Sequence, residues 1–370
     1  MKTKLKCFIA VCFKAFVRLI YAVVKLKPNN QGYISIISRQ SNHPSIDIAM
    51  LSEELKKNHK VIVITKKLNK GVSNLIAYLL SIPSQLVAIR KSNVIIVDGY
   101  CPTVSLLKKD ETKKIVQIWH SMIAIKKFAY QSLDMQDGSD EHFSSLMRMH
   151  KGYDYFIAPS RLTASHFARA FNTDEGKAIL ANLPRTRYLK DGKVNNDIYE
   201  KYPVLKEKTN VLYAPTFRKN KHTQLDKMIS LFDFEHFNLI VKVHPVEFLE
   251  FKDYHIENLV IDFDIPTIDF VKIADKVISD YSSIVVESAL IDKEVYIFAY
   301  DIEMYKQTQG LNVLIGEDYF KKHTYYEVTE LVESLKDEYN YEELNEFKKV
   351  FIDKDAIELS DFVEELFINK

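Results

Sequence analysis

The stretch Ile278-Ser279-Asp280-Tyr281-Ser282-Ser283-Ile284-Val285-Val286-Glu287-Ser288-Ala289-Leu290 joins two patterns. An apolar run stops at Asp-Tyr-Ser-Ser, and apolar residues then recur at helical spacing. This predicts a strand, a tight turn and a helix that opens with hydroxyl side chains. The first backbone N–H groups of a helix lack intrahelical partners. Such a start, with the Ser282 and Ser283 hydroxyls beside it, suits a phosphate or diphosphate. The same residue types also serve as ordinary caps, so the choice turns on what the other strand ends contribute.

Working outward, short apolar runs predict strands at residues 33–37, 61–65, 93–97, 115–119 and 155–158, and a second series at 211–213, 239–243, 259–261, 276–278 and 295–298. Helical patterns alternate with them, as in Ile46, Ile48, Leu51 and Leu55. That alternation argues for parallel α/β sheets joined by crossovers. The charged stretch 190–209 separates the two series and suggests a boundary near residue 200, giving an N-terminal parallel α/β domain over 29–200 and a second over 201–370 that includes the terminal helices. Residues 130–150 are polar and acidic, and read as either a mobile lid or a surface loop.

Open α/β sheets bind ligands beyond the carboxyl ends of their strands. Four predicted ends carry chemistry: His120-Ser121; Ala214-Pro215-Thr216-Phe217-Arg218; Lys242 with His244-Pro245; and Asp280-Tyr281-Ser282-Ser283. Each has a duller use as a turn, a surface ion pair or a strand terminator, and the argument lies in their joint placement. Two histidines, an arginine and two serines can hold a diphosphate and move one proton. Glu287 is a candidate for a ribose or polyol hydroxyl, and equally a helix-surface carboxylate. With nine glycines there is no G-x-G-x-x-G or P-loop. No Cys/His spacing suits zinc. Asp262-Phe263-Asp264 reads as a loop feature.

Charge is uneven. The net charge is +1, yet residues 1–28 hold Lys2, Lys4, Lys6, Lys14, Arg18, Lys25 and Lys27 with no acid, so the remainder is net negative. A broad basic face for nucleic acid is therefore not expected. Three cysteines form no framework and fit a reducing compartment. Within the leader, Lys14, Arg18 and Lys25 interrupt the apolar run on one helical stripe. That pattern favours an interfacial membrane helix over 1–28 rather than a spanning one, with an ordinary packed amphipathic helix as the alternative.

Taken in order, the four blocks Trp119-His120-Ser121 with Lys126-Lys127-Phe128, Ala214-Pro215-Thr216-Phe217-Arg218, Lys242-Val243-His244-Pro245 and Ser279-Asp280-Tyr281-Ser282-Ser283 resemble the CDP-glycerol glycerophosphotransferases of wall teichoic acid synthesis, over residues 115–310. The resemblance implies a GT-B-like fold, two Rossmann-like domains facing a central cleft, attached peripherally to the cytoplasmic face of the cell membrane. It implies a CDP-glycerol or CDP-ribitol donor, an undecaprenyl-linked saccharide acceptor and release of CMP. The family's functional histidines fall on His120 and His244, and its donor-phosphate contacts on Arg218, Ser282 and Ser283. Asp280, Thr216 and Glu287 join the donor side as candidates; Ser121, Lys126 and Arg185 join the acceptor side. No cofactor or metal is expected.

Departures from the family pattern are Ser121 and Ala129, where it usually has glycine, and Arg187, where an acid or amide is usual. They bear on the acceptor more than on the donor. In mechanism, His120 is the expected general base for the acceptor hydroxyl, a task suited to an imidazole titrating near neutrality. Arg218, His244 and the Ser282/Ser283 turn would hold the diphosphate. Two rivals stay open: a GT-B glycosyltransferase of the polysialyltransferase type, and a non-catalytic membrane-associated binding protein.

Overall fold

The computed structural model describes residues 2–26, 31–68, 71–136, 138–191, 193–216, 218, 224–242, 254 and 256–368. Runs of β-branched residues make the strands: β1 (Tyr33–Ser38), β2 (Lys60–Thr65), β3 (Ser92–Val97), β4 (Lys114–Gln117), β5 (Tyr155–Ala158) and β6 (Ala178–Asn182), then β7 (Thr209–Tyr213), β8 (Phe237–Val241), β9 (Leu259–Ile261), β10 (Lys276–Ser279), β11 (Glu294–Phe298), β12 (Thr324–Tyr325) and finally β13 (Ile357–Glu358). One sheet has the order β13-β6-β5-β4-β3-β1-β2, the other β12-β11-β10-β7-β8-β9. Among the described residues every pairing of these strands is parallel. Parallel strands need crossovers, which cover both faces. Accordingly Ile34, Ile36, Val94, Ile96, Val211, Leu212, Leu239, Ile240, Val277 and Ile278 are fully buried.

Strand order reverses once in each sheet, between β1 and β3 in the first and between β7 and β10 in the second. At such a switch point adjacent crossovers run to opposite faces and leave a crevice at the carboxyl ends. All ten predicted strands are present, with ends moved by no more than two residues. β6, β12 and β13 were not predicted. β12 and β13 have two residues each, and β6 carries two alanines among its five, too little β-branched pattern to read.

The chain forms two compact units, one of residues 1–122, 127–185 and 353–370, the other of residues 123–126 and 186–352. This differs from a boundary near 200 with the terminal helices in the second domain. Ile357 and Glu358 pair with Ala181 and Asn182, and Leu359, Phe362 and Val363 of the terminal helix Leu359–Ile368 are buried. That edge strand and helix complete the first unit. The polar stretch after residue 190 is no linker: it folds into a short helix, Asp197–Lys201, whose Ile198 is fully buried.

Residues 130–150 are packed rather than lid-like where described. Ser132, Ser144, Met147, Met149 and His150 are buried, and Tyr100 Oη donates to Met147 O at 2.6 Å. The leader forms one helix, Lys2–Lys25. Ala10, Val17, Tyr21 and Val24 are buried, while Phe8, Ile9, Val11, Phe16, Leu19 and Val23 are exposed. The helix packs beside Val72–Lys91, where Val72, Leu75, Ile76 and Leu80 are also exposed. Both helices are long and apolar enough to cross a membrane by length and composition. The basic stripe is partly turned to the protein, since Arg18 Nε donates to Leu106 O at 3.2 Å.

Candidate functional site

In the first unit, His120 follows β4 at the carboxyl edge. The turn that presents it is strained: Trp119 sits at φ 54°, a left-handed conformation costly for a bulky residue. The Trp119 indole is held by stacking on Phe128, with centroids 4.3 Å apart, and the His120 ring lies 4.2 Å from it. His120 Nδ1 is 3.2 Å from Asp98 O and 3.3 Å from Gln40 Nε2. A carbonyl oxygen only accepts, so Nδ1 carries the proton and donates to Asp98. With the proton on Nδ1, Nε2 is the ring nitrogen that can accept one, as a general base must.

Arg185 tethers this turn from behind. Its backbone N and Nε donate to Asp47 at 2.9 and 2.8 Å, and Nη2 donates to His120 O at 3.2 Å. Arg185, expected as an acceptor contact, is paired with Asp47, a side chain 2% exposed, and also holds the His120 carbonyl. Ser121 is half-buried beside it.

Asp98, at the end of β3, is a residue the sequence reading passed over. Ser38 Oγ, at the end of β1, donates to its Oδ2 at 2.7 Å, and Oδ1 has no partner among the described residues. Burial pushes the carboxyl up to about 6, against the Ser38 hydrogen bond. Asp98 and Gln40 flank the β1/β3 switch point. The signal was available: Asp98 directly follows the apolar run 93–97, as His120 follows its own.

The second unit's switch point gathers Thr216 and Arg218 after β7 with Asp280, Ser282 and Ser283 after β10. Asp280 organises them: both its carboxylate oxygens accept from Thr216 N at 3.0 Å, and one accepts from Arg218 Nη1. Arg218 also donates to Asp301, Nε at 2.9 Å and Nη2 at 2.8 Å. Its guanidinium lies 5.2–5.6 Å from the rings of Tyr281, Tyr300 and Tyr305. Burial opposes its charge, but Asp280 and Asp301 more than offset that and raise its pKa. Arg218, expected to grip a diphosphate, is here bound to protein groups. Two carboxylates and three rings occupy it, and it locks the β7 and β10 turns together. Asp301 was visible in the sequence but had been given no role.

The serines cap the helix only weakly. Ser283 makes no capping hydrogen bond to the helix Ile284–Leu290, and Ser282 Oγ accepts from Ile284 N at a long 3.4 Å. That helix has seven residues, so its macrodipole is slight and the hydroxyls matter more than the helix start. Glu287 is 5% exposed, which removes the helix-surface alternative.

Lys242 is committed elsewhere, to Asp262 Oδ1 at 3.2 Å and Ile265 O at 2.7 Å. Asp262, held down to about 2 by Lys201 and Tyr202 against its burial, is structural, as a loop feature should be. His244 and Pro245 lie outside the described residues. Lys126, expected on the acceptor side, belongs to the second unit, with Nζ 3.4 Å from Thr216 Oγ1. Among the described residues, Asp233, Glu235 and His236 could together hold a metal ion. They precede β8 at its amino end, away from the carboxyl edge, and Asp233 is already paired with Lys336 and His236.

A sequence profile of the CDP-glycerol:poly(glycerophosphate) glycerophosphotransferases matches residues 18–363. A teichoic acid ribitol-phosphate primase of Bacillus spizizenii is 28% identical over 321 residues, 82% of each chain. A teichoic acid glycerol-phosphate primase of Bacillus subtilis is 24% identical over 382 residues, 95% of this chain and 94% of the relative. The wall teichoic acid polymerase TagF, 20% identical, shares the fold with a TM-score of 0.73 over 99% of this chain and 98% of that one. With its match running through almost the whole sequence, the chain belongs to the CDP-glycerol:poly(glycerophosphate) glycerophosphotransferase family and is a transferase of teichoic acid synthesis.

Proposed function

We propose that the chain passes glycerol phosphate from CDP-glycerol to a hydroxyl of an undecaprenyl-linked saccharide, releasing CMP, at the cytoplasmic face of the cell membrane. The observation that carries this reading is the Nδ1 hydrogen bond of His120 to Asp98 O, which sets the tautomer of a base. His120 Nε2 takes the acceptor hydroxyl's proton as its oxygen attacks the distal phosphorus. The new P–O bond forms as the bond to the bridging oxygen breaks, and CMP leaves with that electron pair. Charge stays on phosphate oxygens throughout, so the protein's task is positioning and electrostatic stabilisation. Ser282, Ser283 and Thr216, at the second unit's switch point, are proposed to meet a donor phosphate. His244 is proposed as a further phosphate contact, and Glu287 as a ligand of the donor's hydroxyls. The two parallel sheets suit a GT-B-like pair of Rossmann-like domains.

Membrane attachment draws support from the exposed apolar residues of the leader helix and of its neighbour Val72–Lys91. Neither helix contains an acid, so nothing on them opposes anionic lipid. Ribitol phosphate is a second donor reading, favoured by the likeness to the ribitol-phosphate primase. The test is the product formed from a synthetic lipid-linked saccharide with CDP-glycerol, CDP-ribitol or CMP-sialic acid. A lipid-linked glycerol phosphate and free CMP are expected; a sialylated product, or no CMP from either CDP-polyol, would overturn the reading.

A further inference from the structure

Arg218 leaves a gap in the electrostatics of the second unit's switch point. One guanidinium faces two carboxylates, Asp280 and Asp301, so these three groups together carry a negative charge that would repel a diphosphate. Lys242 does not relieve it, being paired with Asp262. Lys126 is placed differently. Its ammonium reaches a neutral partner, Thr216 Oγ1, on the residue whose backbone N–H is held by Asp280.

The backbone that delivers Lys126 is fixed. Lys126 forms an antiparallel bridge with Leu311. Ile125 O accepts from Asn312 N at 2.7 Å and from Val313 N at 3.3 Å, and Asn312 Nδ2 donates to Lys126 O at 3.2 Å. A rigid attachment with a flexible four-carbon stem suits a cation that must meet a ligand without being tied up beforehand. Burial lowers the lysine's pKa; Asp280 acts against that and Arg218 adds to it. A half-buried ammonium with no carboxylate partner among the described residues is costly, and an arriving phosphate removes that cost.

We propose that Lys126 is the cation that meets the donor's diphosphate, in the part that Asp280 and Asp301 deny to Arg218. The inference rests on the reading of the chain as a CDP-polyol transferase and adds a donor-binding residue to it. The reaction needs such a charge because the departing CMP gains negative charge that a nearby ammonium stabilises.

The test measures CDP affinity by calorimetry for the full chain and for Lys126→Gln and Lys126→Arg, with melting temperatures alongside. Glutamine can keep the hydrogen bond to Thr216 without the charge; arginine keeps the charge. The expected result is a loss of CDP affinity of about 10- to 100-fold for Lys126→Gln, within a few-fold of normal for Lys126→Arg, and unchanged melting for both. Wild-type affinity in Lys126→Gln would overturn the proposal. So would equal losses in both variants with lowered melting, which mark a structural lysine. A wild-type chain that does not bind CDP would instead remove the underlying transferase reading, and this inference with it.

Discussion

The Arg218 guanidinium has Asp280 on one side and Asp301 on the other, with those side chains 2% and 7% exposed. Removing it leaves two buried carboxylates without their cation, so Arg218→Ala should lower stability by about 3–5 kcal/mol. Urea unfolding measures this, and an unchanged midpoint would contradict the assignment. Asp98 is a buried carboxyl of the other kind. Its pKa rises from 3.8 to about 6 because burial disfavours the charge, with Asp47 adding to the rise while Ser38 and Arg39 oppose it. Between those values the native protein holds a proton that the unfolded chain has lost. Its contribution is therefore full below about pH 4 and is lost as pH rises through 6. Relative to wild type, Asp98→Asn should gain on the order of 2–3 kcal/mol between pH 4 and pH 8. Only that difference isolates the group, because buried His150 and His166, lowered to about 3 and about 4, lose stability as pH falls below 6.5. A difference that does not vary with pH would contradict the account of Asp98.

At the scale of elements, the strands were legible because buried parallel strands read as β-branched runs, and their carboxyl ends located His120, Thr216, Asp280 and the two serines directly. What the rule could not supply was pairing. Nothing in the sequence says that Arg218 would find Asp301, 83 residues away, or that Arg185 would find Asp47, 138 residues away. Ala129 shows a local case. The family pattern prefers glycine there, and the structure gives the reason: φ is 49°, a conformation glycine adopts without steric cost. The leader's helix was legible, but not which face it buries. It packs beside Val72–Lys91, which also exposes apolar residues, so Leu19→Glu with Leu80→Glu should reduce co-sedimentation with phosphatidylglycerol vesicles about tenfold or more, while removing residues 1–28 should abolish it. Salt should weaken wild-type binding only in part, since apolar burial is little screened. Equal vesicle binding by all three proteins would rule this surface out.

Across the whole molecule, the two-sheet organisation followed from the alternation of strands and helices, whereas the division of the chain did not. Residues 353–370 return to the first unit and residues 123–126 join the second, exchanges made by edge pairing and burial between segments far apart in sequence. The same cause hid the true place of Lys126, which follows His120 by six residues yet packs in the other unit. The proposed division of labour puts the base in the first unit and the donor contacts in the second. It is tested most directly by single-turnover CMP release from CDP-glycerol, measured for wild type and His120→Ala beside the affinity of each for CDP-glycerol. The account predicts a rate lowered by roughly 10²–10⁴-fold, the usual contribution of a general base, with donor affinity unchanged. A near-normal single-turnover rate in His120→Ala, or a loss of donor affinity that matches the loss of rate, would contradict it.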